Sequence, residues 1–205
     1  YLLLVGEVPD KDTLLDLQQE LKQRSTVPQY VWDVLSGMPK DSHPMAMFNT
    51  AILSMQKESK FAEAYDLVIS KGDYWESTLE DGLNIIAKLP AIGAAVYRQR
   101  FDKGDRLEAG DSIDWSENFL KMMGLDYSDD MLKMMQLYLM LHCDHEGGNV
   151  STFSALTVNS ALSDPYYSLS AGLNGLAGPL HGLANQNNLK FVLDIIEHYE
   201  GVPSD

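Results

Sequence analysis

The segment DYWESTLEDGLNIIAKLPAIGAAVYRQR, residues 73–100, decides the fold class of this chain. It carries apolar residues without the strict alternation of a strand, and it therefore predicts one long α-helix. Pro90 lies inside it and predicts a kink or a break, because proline lacks an N–H donor and crowds the preceding turn. Small residues surround the proline and predict a close helix–helix approach, within one chain or between two subunits: Ala87, Ala91, Gly93, Ala94 and Ala95.

Helical patterns continue on both sides of this segment. Apolar residues recur at spacings of three and four after capping residues or prolines, and alternating β-type runs are nearly absent. The expected helices cover residues 10–24, 28–35, 44–55, 61–69, 115–123, 131–142, 149–162, 165–176 and 179–199. The fold class is predicted to be all-α. Six methionines are interpreted as adaptable core filler: Met122, Met123, Met131, Met134, Met135 and Met140.

The composition excludes several classes of protein. With 205 residues and 45% hydrophobic content, the chain is long and apolar enough to form a core without a disulfide or metal staple. Its one cysteine, Cys143, excludes an internal disulfide framework and fits a reducing compartment. No run approaches the roughly 20 apolar residues that span a bilayer. A net charge of −15 repels nucleic acid and anionic lipid, so neither is an expected partner.

Residues 142–151, HCDHEGGNVS, concentrate chemically active groups at the end of a predicted helix. A metal site is one interpretation, but adjacent residues do not face one way, and zinc needs three or four converging ligands. A second is a plain helix terminus, where cationic histidine suits the negative end of the dipole. The Gly147-Gly148-Asn149 turn leads into another helix, whose free N–H groups beside His145 suit a small carboxylate.

Residues 174–186, NGLAGPLHGLANQ, place His181 among three glycines and a proline, in the predicted first turn of a helix. A structural role is the plainer interpretation. The positive helix end, however, keeps the imidazole neutral, and a neutral ring can donate an N–H bond to a carbonyl oxygen as that oxygen gains charge. This chemistry promotes enolisation. Ser151 or Thr152 could orient such a ring, and the glycines allow a substrate to approach the backbone.

Together these two segments closely resemble the citrate synthase family. The resemblance extends over essentially the whole chain and is nearest to the eukaryotic mitochondrial type. Several motifs outside the two segments also match the family pattern. These matching motifs are His43-Pro44-Met45, Tyr74-Trp75-Glu76, residues 86–90, Tyr97-Arg98, Asp114-Trp115-Ser116 and residues 160–166. The resemblance implies an all-helical homodimer in the mitochondrial matrix that condenses acetyl-CoA with oxaloacetate and water. It implies no cofactor, because acetyl-CoA is a substrate.

The family's residue roles carry over position by position. His181 matches the histidine that stabilises the enol of acetyl-CoA, and Ser151 matches the serine that supports this ring. His145 matches the histidine that binds oxaloacetate, and Asn149 matches an asparagine of the same turn, expected to shape the substrate pocket. Lys71 stands where the family has an arginine associated with the CoA phosphate. Lysine keeps the positive charge but loses the bidentate fork.

The resemblance also implies a division into domains. Residues 1–178 correspond to part of the large domain, and residues 179–205 to a helix at the start of the small domain. The family's second catalytic histidine and its aspartate base match no residue of this sequence, so we expect the 205-residue chain alone not to form citrate. Two alternatives stay open: a 2-methylcitrate synthase that uses propionyl-CoA, and a non-catalytic helical module that dimerises through residues 80–100.

Overall fold

A computed structural model of the chain describes residues 1–144 and 147–202. These residues form helices and no strand, which confirms the predicted all-α class. The helices are α1 (Leu2–Val5), α2 (Lys11–Arg24), α3 (Gln29–Ser36), α4 (Pro44–Ser54), α5 (Lys60–Asp66), α6 (Tyr74–Arg100), α7 (Trp115–Met123), α8 (Asp129–Leu141), α9 (Val150–Asn159), α10 (Pro165–Leu176) and α11 (Ala184–His198). Two 3₁₀ turns, Met55–Glu58 and Lys71–Asp73, precede α5 and α6. No helix of the described ranges has both the length and the apolar character needed to cross a membrane.

Polar side chains at the N-cap position determine where most of these helices begin. A cap of this type accepts a hydrogen bond from a backbone N–H of the first turn, which otherwise lacks a partner. Seven side chains accept such a bond: Asp10, His43, Ser59, Asp114, Ser128, Asn149 and Asp164. The predicted starts of these helices are therefore confirmed to within two residues.

Helix α6 is the centre of the packing. Its buried face joins α3, α4 and α10 in one apolar core that includes Ile85, Ile92, Val31, Ile52 and Tyr166. The helix is unbroken at Pro90, so the alternative of a break is wrong. Proline at this position leaves the carbonyl of Ile86, four residues earlier, without its helical donor. The indole N–H of Trp115 on α7 donates to this oxygen at 2.9 Å, which satisfies it and joins α7 to α6.

The small residues around Pro90 pack inside the chain. Ala87, Ala94 and Ala95 are buried, and a Cβ placed on Gly93 would lie 3.5 Å from the ring of Phe119 on α7. The close approach predicted from these residues is thus a contact of α6 with its neighbours in the same chain. Most of residues 80–100 is covered within the chain, although Ile86 is 44% exposed, so little of this stretch is left for a contact between subunits. The contact expected there stays a prediction.

Several boundaries differ from the sequence prediction. Helix α5 ends at Asp66 instead of residue 69, because Val68 adopts a left-handed conformation (φ 60°) and the Ile69 N–H turns back to the Ala64 carbonyl. The methionines expected in the core also differ in their exposure to solvent. Met122 is buried, whereas Met134 and Met140 on α8 are each 61% exposed, so their interpretation as core filler is wrong.

A buried carboxylate joins α6 to the start of α5. Asp81 is fully buried and accepts hydrogen bonds from the Ser59 hydroxyl (2.6 Å), the Lys60 N–H (2.6 Å) and the Phe61 N–H (3.2 Å). Burial raises the pKa of Asp81, and the three hydrogen bonds act in the opposite direction. The carboxylate thus serves as a cap supplied from another helix, and it positions the Ser59 turn against α6.

We expect Asp81→Ala to lower the free energy of unfolding by about 3 kcal/mol, because two buried donors and one partly buried donor lose their acceptor. Denaturant unfolding followed by circular dichroism measures this change. Glu80→Ala is the control: its ion pair with Arg24 is half exposed and is worth less than about 1 kcal/mol. Equal losses in the two variants would contradict a special role for Asp81.

Candidate functional site

The site depends on an unusually close contact between α9 and α10. A Cβ placed on Gly172 would lie 3.0 Å from the carbonyl oxygen of Ser151, and one on Gly175 would lie 2.8 Å from a methyl carbon of Val150. Real Cβ atoms avoid such distances, so glycine is what permits the two backbones to approach. The first turn of α9, which carries Ser151, is held against α10 in this way, and Ser151 is buried.

His181 lies in a tight turn that follows α10. The Gly182 N–H bonds back to the Leu176 carbonyl at 2.9 Å, and a Cβ on Gly182 would lie 2.3 Å from that oxygen. The glycine therefore allows the turn to close. Helix α11 begins only at Ala184, so the expectation that His181 occupies the first helical turn is wrong. The residue precedes the helix, and Ala184 N–H donates to its carbonyl at 3.1 Å.

Three predicted residues meet in a hydrogen-bonded series. The Nε2 atom of His181 lies 2.9 Å from the Ser151 Oγ, and the Ser151 hydroxyl donates to Oδ1 of Asn149 at 2.7 Å. The same Oδ1 accepts the Thr152 N–H at 3.0 Å and so caps α9. Of the two candidates to orient the His181 ring, Ser151 makes the contact. An imidazole held by a buried hydroxyl is suited to general acid–base work or to polarising a carbonyl.

The other predicted residues are placed differently. His145 lies outside the described residues. Lys71 is exposed in the 3₁₀ turn before α6, and within the described residues it makes no hydrogen bond or ion pair. His142 ends α8, with its Nδ1 atom 2.7 Å from the Tyr138 carbonyl and its ring 4.2 Å from the ring of Tyr138. The metal interpretation involves His145, and among the residues that are described no three candidate ligands gather around a common point.

The structure adds residues that the sequence patterns missed. Gly172 lies just before the segment 174–186 that the sequence analysis singled out. Its spacing of three from Gly175, inside a predicted helix, was a signal of close helix packing. Asn49 on α4 donates to Oδ1 of Asn174 at 3.2 Å, which ties the start of the glycine-rich segment to the core. Its partner residue is distant in sequence, so no local pattern could have indicated it.

A separate cavity of about 580 Å³ lies between α2, α3, α6 and the loop before α7. Its lining includes Trp32, Arg106, Trp115 and Asn118, and it includes none of the five predicted site residues. The Asn118 amide donates to the Ser112 carbonyl at 2.7 Å, which closes the loop over this cavity. The cavity is therefore distinct from the His181 site.

The fold is all-helical. Its site pairs a buried serine with a histidine in a glycine-containing turn, at the close contact of two helices, and these features together define the class of protein. Residues 1–202 match the family described as citrate synthase, C-terminal domain. The chain therefore belongs to the citrate synthase family.

Curated relatives and solved structures agree with this assignment. Mitochondrial citrate synthase 4 of Arabidopsis thaliana is 44% identical over 197 residues, covering 96% of this chain and 41% of the relative. Peroxisomal citrate synthase of Saccharomyces cerevisiae is 47% identical, covering 96% of this chain and 43% of the relative. The chain thus spans less than half the length of the curated relatives it matches.

Among solved structures, citrate synthase from Pyrobaculum aerophilum superimposes with a TM-score of 0.85 at 32% identity, over 95% of this chain and 48% of that one. Citrate synthase from Thermoplasma acidophilum, in ternary complex with carboxymethyl coenzyme A and oxaloacetate, superimposes with a TM-score of 0.75 at 27% identity. It covers 89% of this chain and 45% of that one. The named relatives favour neither of the two alternatives considered above.

We expect Gly172→Ala and Gly82→Ala to change stability in opposite directions. The new methyl group at position 172 meets the Ser151 carbonyl, so this variant should lose about 1–3 kcal/mol of unfolding free energy. Gly82, inside α6, has no atom within 4 Å of its added Cβ, so alanine there should gain about 0.5–1 kcal/mol. Unfolding in urea measures both, and a loss in both variants would contradict this account of the α9–α10 contact.

Proposed function

We propose that the full-length protein condenses acetyl-CoA with oxaloacetate and water to form citrate and CoA. The observation that carries this proposal is the 2.9 Å contact between His181 and Ser151 in a chain of the citrate synthase family. In the first step a base removes a proton from the methyl carbon of acetyl-CoA, and the electron pair moves to the thioester oxygen. His181 stabilises this enol oxygen through a ring N–H, a bond that strengthens as charge develops.

The second step forms the new carbon–carbon bond. The enol carbon attacks the ketone carbon of oxaloacetate, whose oxygen takes up a proton, and water then cleaves the thioester to release CoA. We assign oxaloacetate binding to His145, with Asn149 shaping the pocket. Lys71 would attract a phosphate of CoA through charge alone, since an ammonium group lacks the bidentate geometry of arginine. No further cofactor takes part in this scheme.

The proposed setting is the mitochondrial matrix. The names of several relatives, from Arabidopsis thaliana, Daucus carota and Citrus maxima, support it, although one yeast relative is peroxisomal. We also propose that residues 1–178 belong to the large domain and that residues 179–205 begin the small domain. The end of α10 at Leu176, followed by the turn around His181, supports a boundary at this point.

We further propose a homodimer that forms through the exposed faces of α8 and α9. The exposed apolar residues of α8 follow a helical spacing of three and four, and those of α9 follow a similar spacing: Met134, Leu137, Tyr138 and Leu141, then Val150, Phe153 and Leu156. Helix α9 contains no charged residue. A second copy is the expected occupant, because pairing this face with its equal buries apolar area without bringing charges of like sign into contact in a chain of net charge −15.

The division of roles predicts different effects for two histidine variants of the full-length protein. His181→Ala should lower kcat by about 10²-fold or more, with little change in oxaloacetate affinity, since its bond forms mainly in the transition state. His145→Ala should mainly weaken oxaloacetate binding. Steady-state citrate formation and calorimetric titration with oxaloacetate measure the two effects. His198→Ala, on the exposed α11, is the control and should leave both unchanged.

Sedimentation at micromolar concentration tests the homodimer. We expect a species of twice the 22.9 kDa chain mass, and we expect Phe153→Asp to shift it towards the monomer by placing a charge in an apolar contact. Phe101→Asp, at a similarly exposed aromatic residue outside α8 and α9, is the control. A monodisperse monomer, or a dimer that Phe153→Asp leaves intact, would rule out this interface.

A further inference from the structure

The cavity between α2, α3, α6 and the loop before α7 exists because small residues form one of its walls. Helix α6 contributes Ala87, Pro90 and Ala91 to the lining, and their side chains are too short to fill the space. Protein interiors rarely contain voids much larger than a water molecule, so an opening of about 580 Å³ is unusual. Its volume lies within the range of small-molecule sites, roughly 300–1,000 Å³.

Two indole rings line this cavity, and each is fixed by a contact of its own. The Trp115 N–H donates to the Ile86 carbonyl at 2.9 Å. The central carbon of the Arg106 guanidinium lies 4.4 Å from the centre of the Trp32 ring. Aromatic ligands gain apolar burial and favourable ring contacts against surfaces of this kind. The lining therefore favours a flat aromatic molecule.

The loop between α6 and α7, which forms the outer wall, is fixed near both of its ends. At its start the Arg98 guanidinium donates to the carbonyls of Lys103 and Asp105, the latter at 2.6 Å. Near its end the Asn118 amide donates to the Ser112 carbonyl at 2.7 Å. The cavity is thus preformed, which lowers the entropic cost of binding a ligand there.

The charged groups of the lining indicate how many negative charges a ligand should carry. Lys22 donates through Nζ to the Asp111 carbonyl, and among the residues that the structure describes no carboxylate pairs with it. An ammonium group has three donors, so Lys22 can also bind an anion. Arg106 is already paired with Glu108. The carboxylates of Glu108 and Asp111 also belong to the lining and disfavour a second negative charge.

We propose that this cavity is a binding site for an aromatic carboxylate, with the ring against Trp32 and Trp115 and the carboxylate at Lys22. The site is separate from the His181 site, and the inference does not depend on the proposed reaction. It follows from the volume of the cavity, its fixed aromatic walls and an ammonium group without a carboxylate partner.

Energy transfer from indole to 8-anilinonaphthalene-1-sulfonate, an aromatic monoanion, tests the site in the full-length protein. We expect the transfer to fall in Trp32→Phe and to be unchanged in Trp75→Phe, because Trp75 is 62% exposed and lies outside the lining. Ala91→Phe places a ring in the cavity and should weaken binding of the probe by about tenfold or more.

A matched pair of probes tests the role of Lys22. N-phenyl-1-naphthylamine has the same rings as the first probe but no sulfonate. Lys22→Gln should weaken binding of the sulfonate by about threefold or more and leave the uncharged probe unaffected. Lys190→Gln, on the exposed surface of α11, removes the same charge elsewhere and is the control, which should change neither affinity.

Displacement of the sulfonate probe tests the class of ligand. 1-Naphthoate should displace it at lower concentration than 1-naphthyl phosphate, which has the same ring and close to two negative charges at neutral pH. A preference for the phosphate would overturn the carboxylate assignment. Absence of transfer, transfer that Trp32→Phe leaves intact, or equal effects of Lys22→Gln on both probes would overturn the site. If Ala91→Phe does not fold, Trp32→Phe and Lys22→Gln decide.

Discussion

The near-contact of the α9 and α10 backbones is the constraint on which the site depends. Gly172 and Gly175 permit it, and any larger side chain there would push against Val150 and Ser151. The contact holds the first turn of α9 beside the end of α10, where the chain turns back over Leu176 and presents His181. Residues 30 positions apart are thereby brought to within one hydrogen bond of each other.

The cap of α9 and the candidate site share the same atoms. Asn149 accepts the Thr152 N–H as an ordinary N-cap, and through the same oxygen it binds the Ser151 hydroxyl that faces His181. A group that stabilises the helix start therefore also holds the serine hydroxyl that contacts the ring of His181. Because both contacts use one oxygen, a substitution at Asn149 affects the helix cap and the position of Ser151 together.

Elsewhere in the fold, polar groups without local partners are satisfied from distant helices. The Ile86 carbonyl, deprived of its donor by Pro90, accepts the indole of Trp115, and the buried Asp81 carboxylate caps the turn at Ser59. Each case joins two helices, and the bonds of Asp81 to Ser59 and Phe61 lie in the interior, where water cannot replace them. These bonds explain why α6 continues through its proline and why its small residues face the chain's own helices.

The sequence by itself determined the all-α class, most helix starts and the chemically active segments, because caps, prolines and the spacing of apolar residues act over a few positions. It also indicated His181, Ser151 and Asn149 through resemblance to a family. Only the tertiary structure decided which residues meet, that Ser151 and not Thr152 contacts the ring, and that the stripe around Pro90 is covered within the chain. It also decided that α8 is a surface helix. Such outcomes depend on which faces of distant helices pack together. The helical periodicity of the sequence cannot distinguish them, because it is the same for an apolar face that packs against its own chain and for one that packs against another.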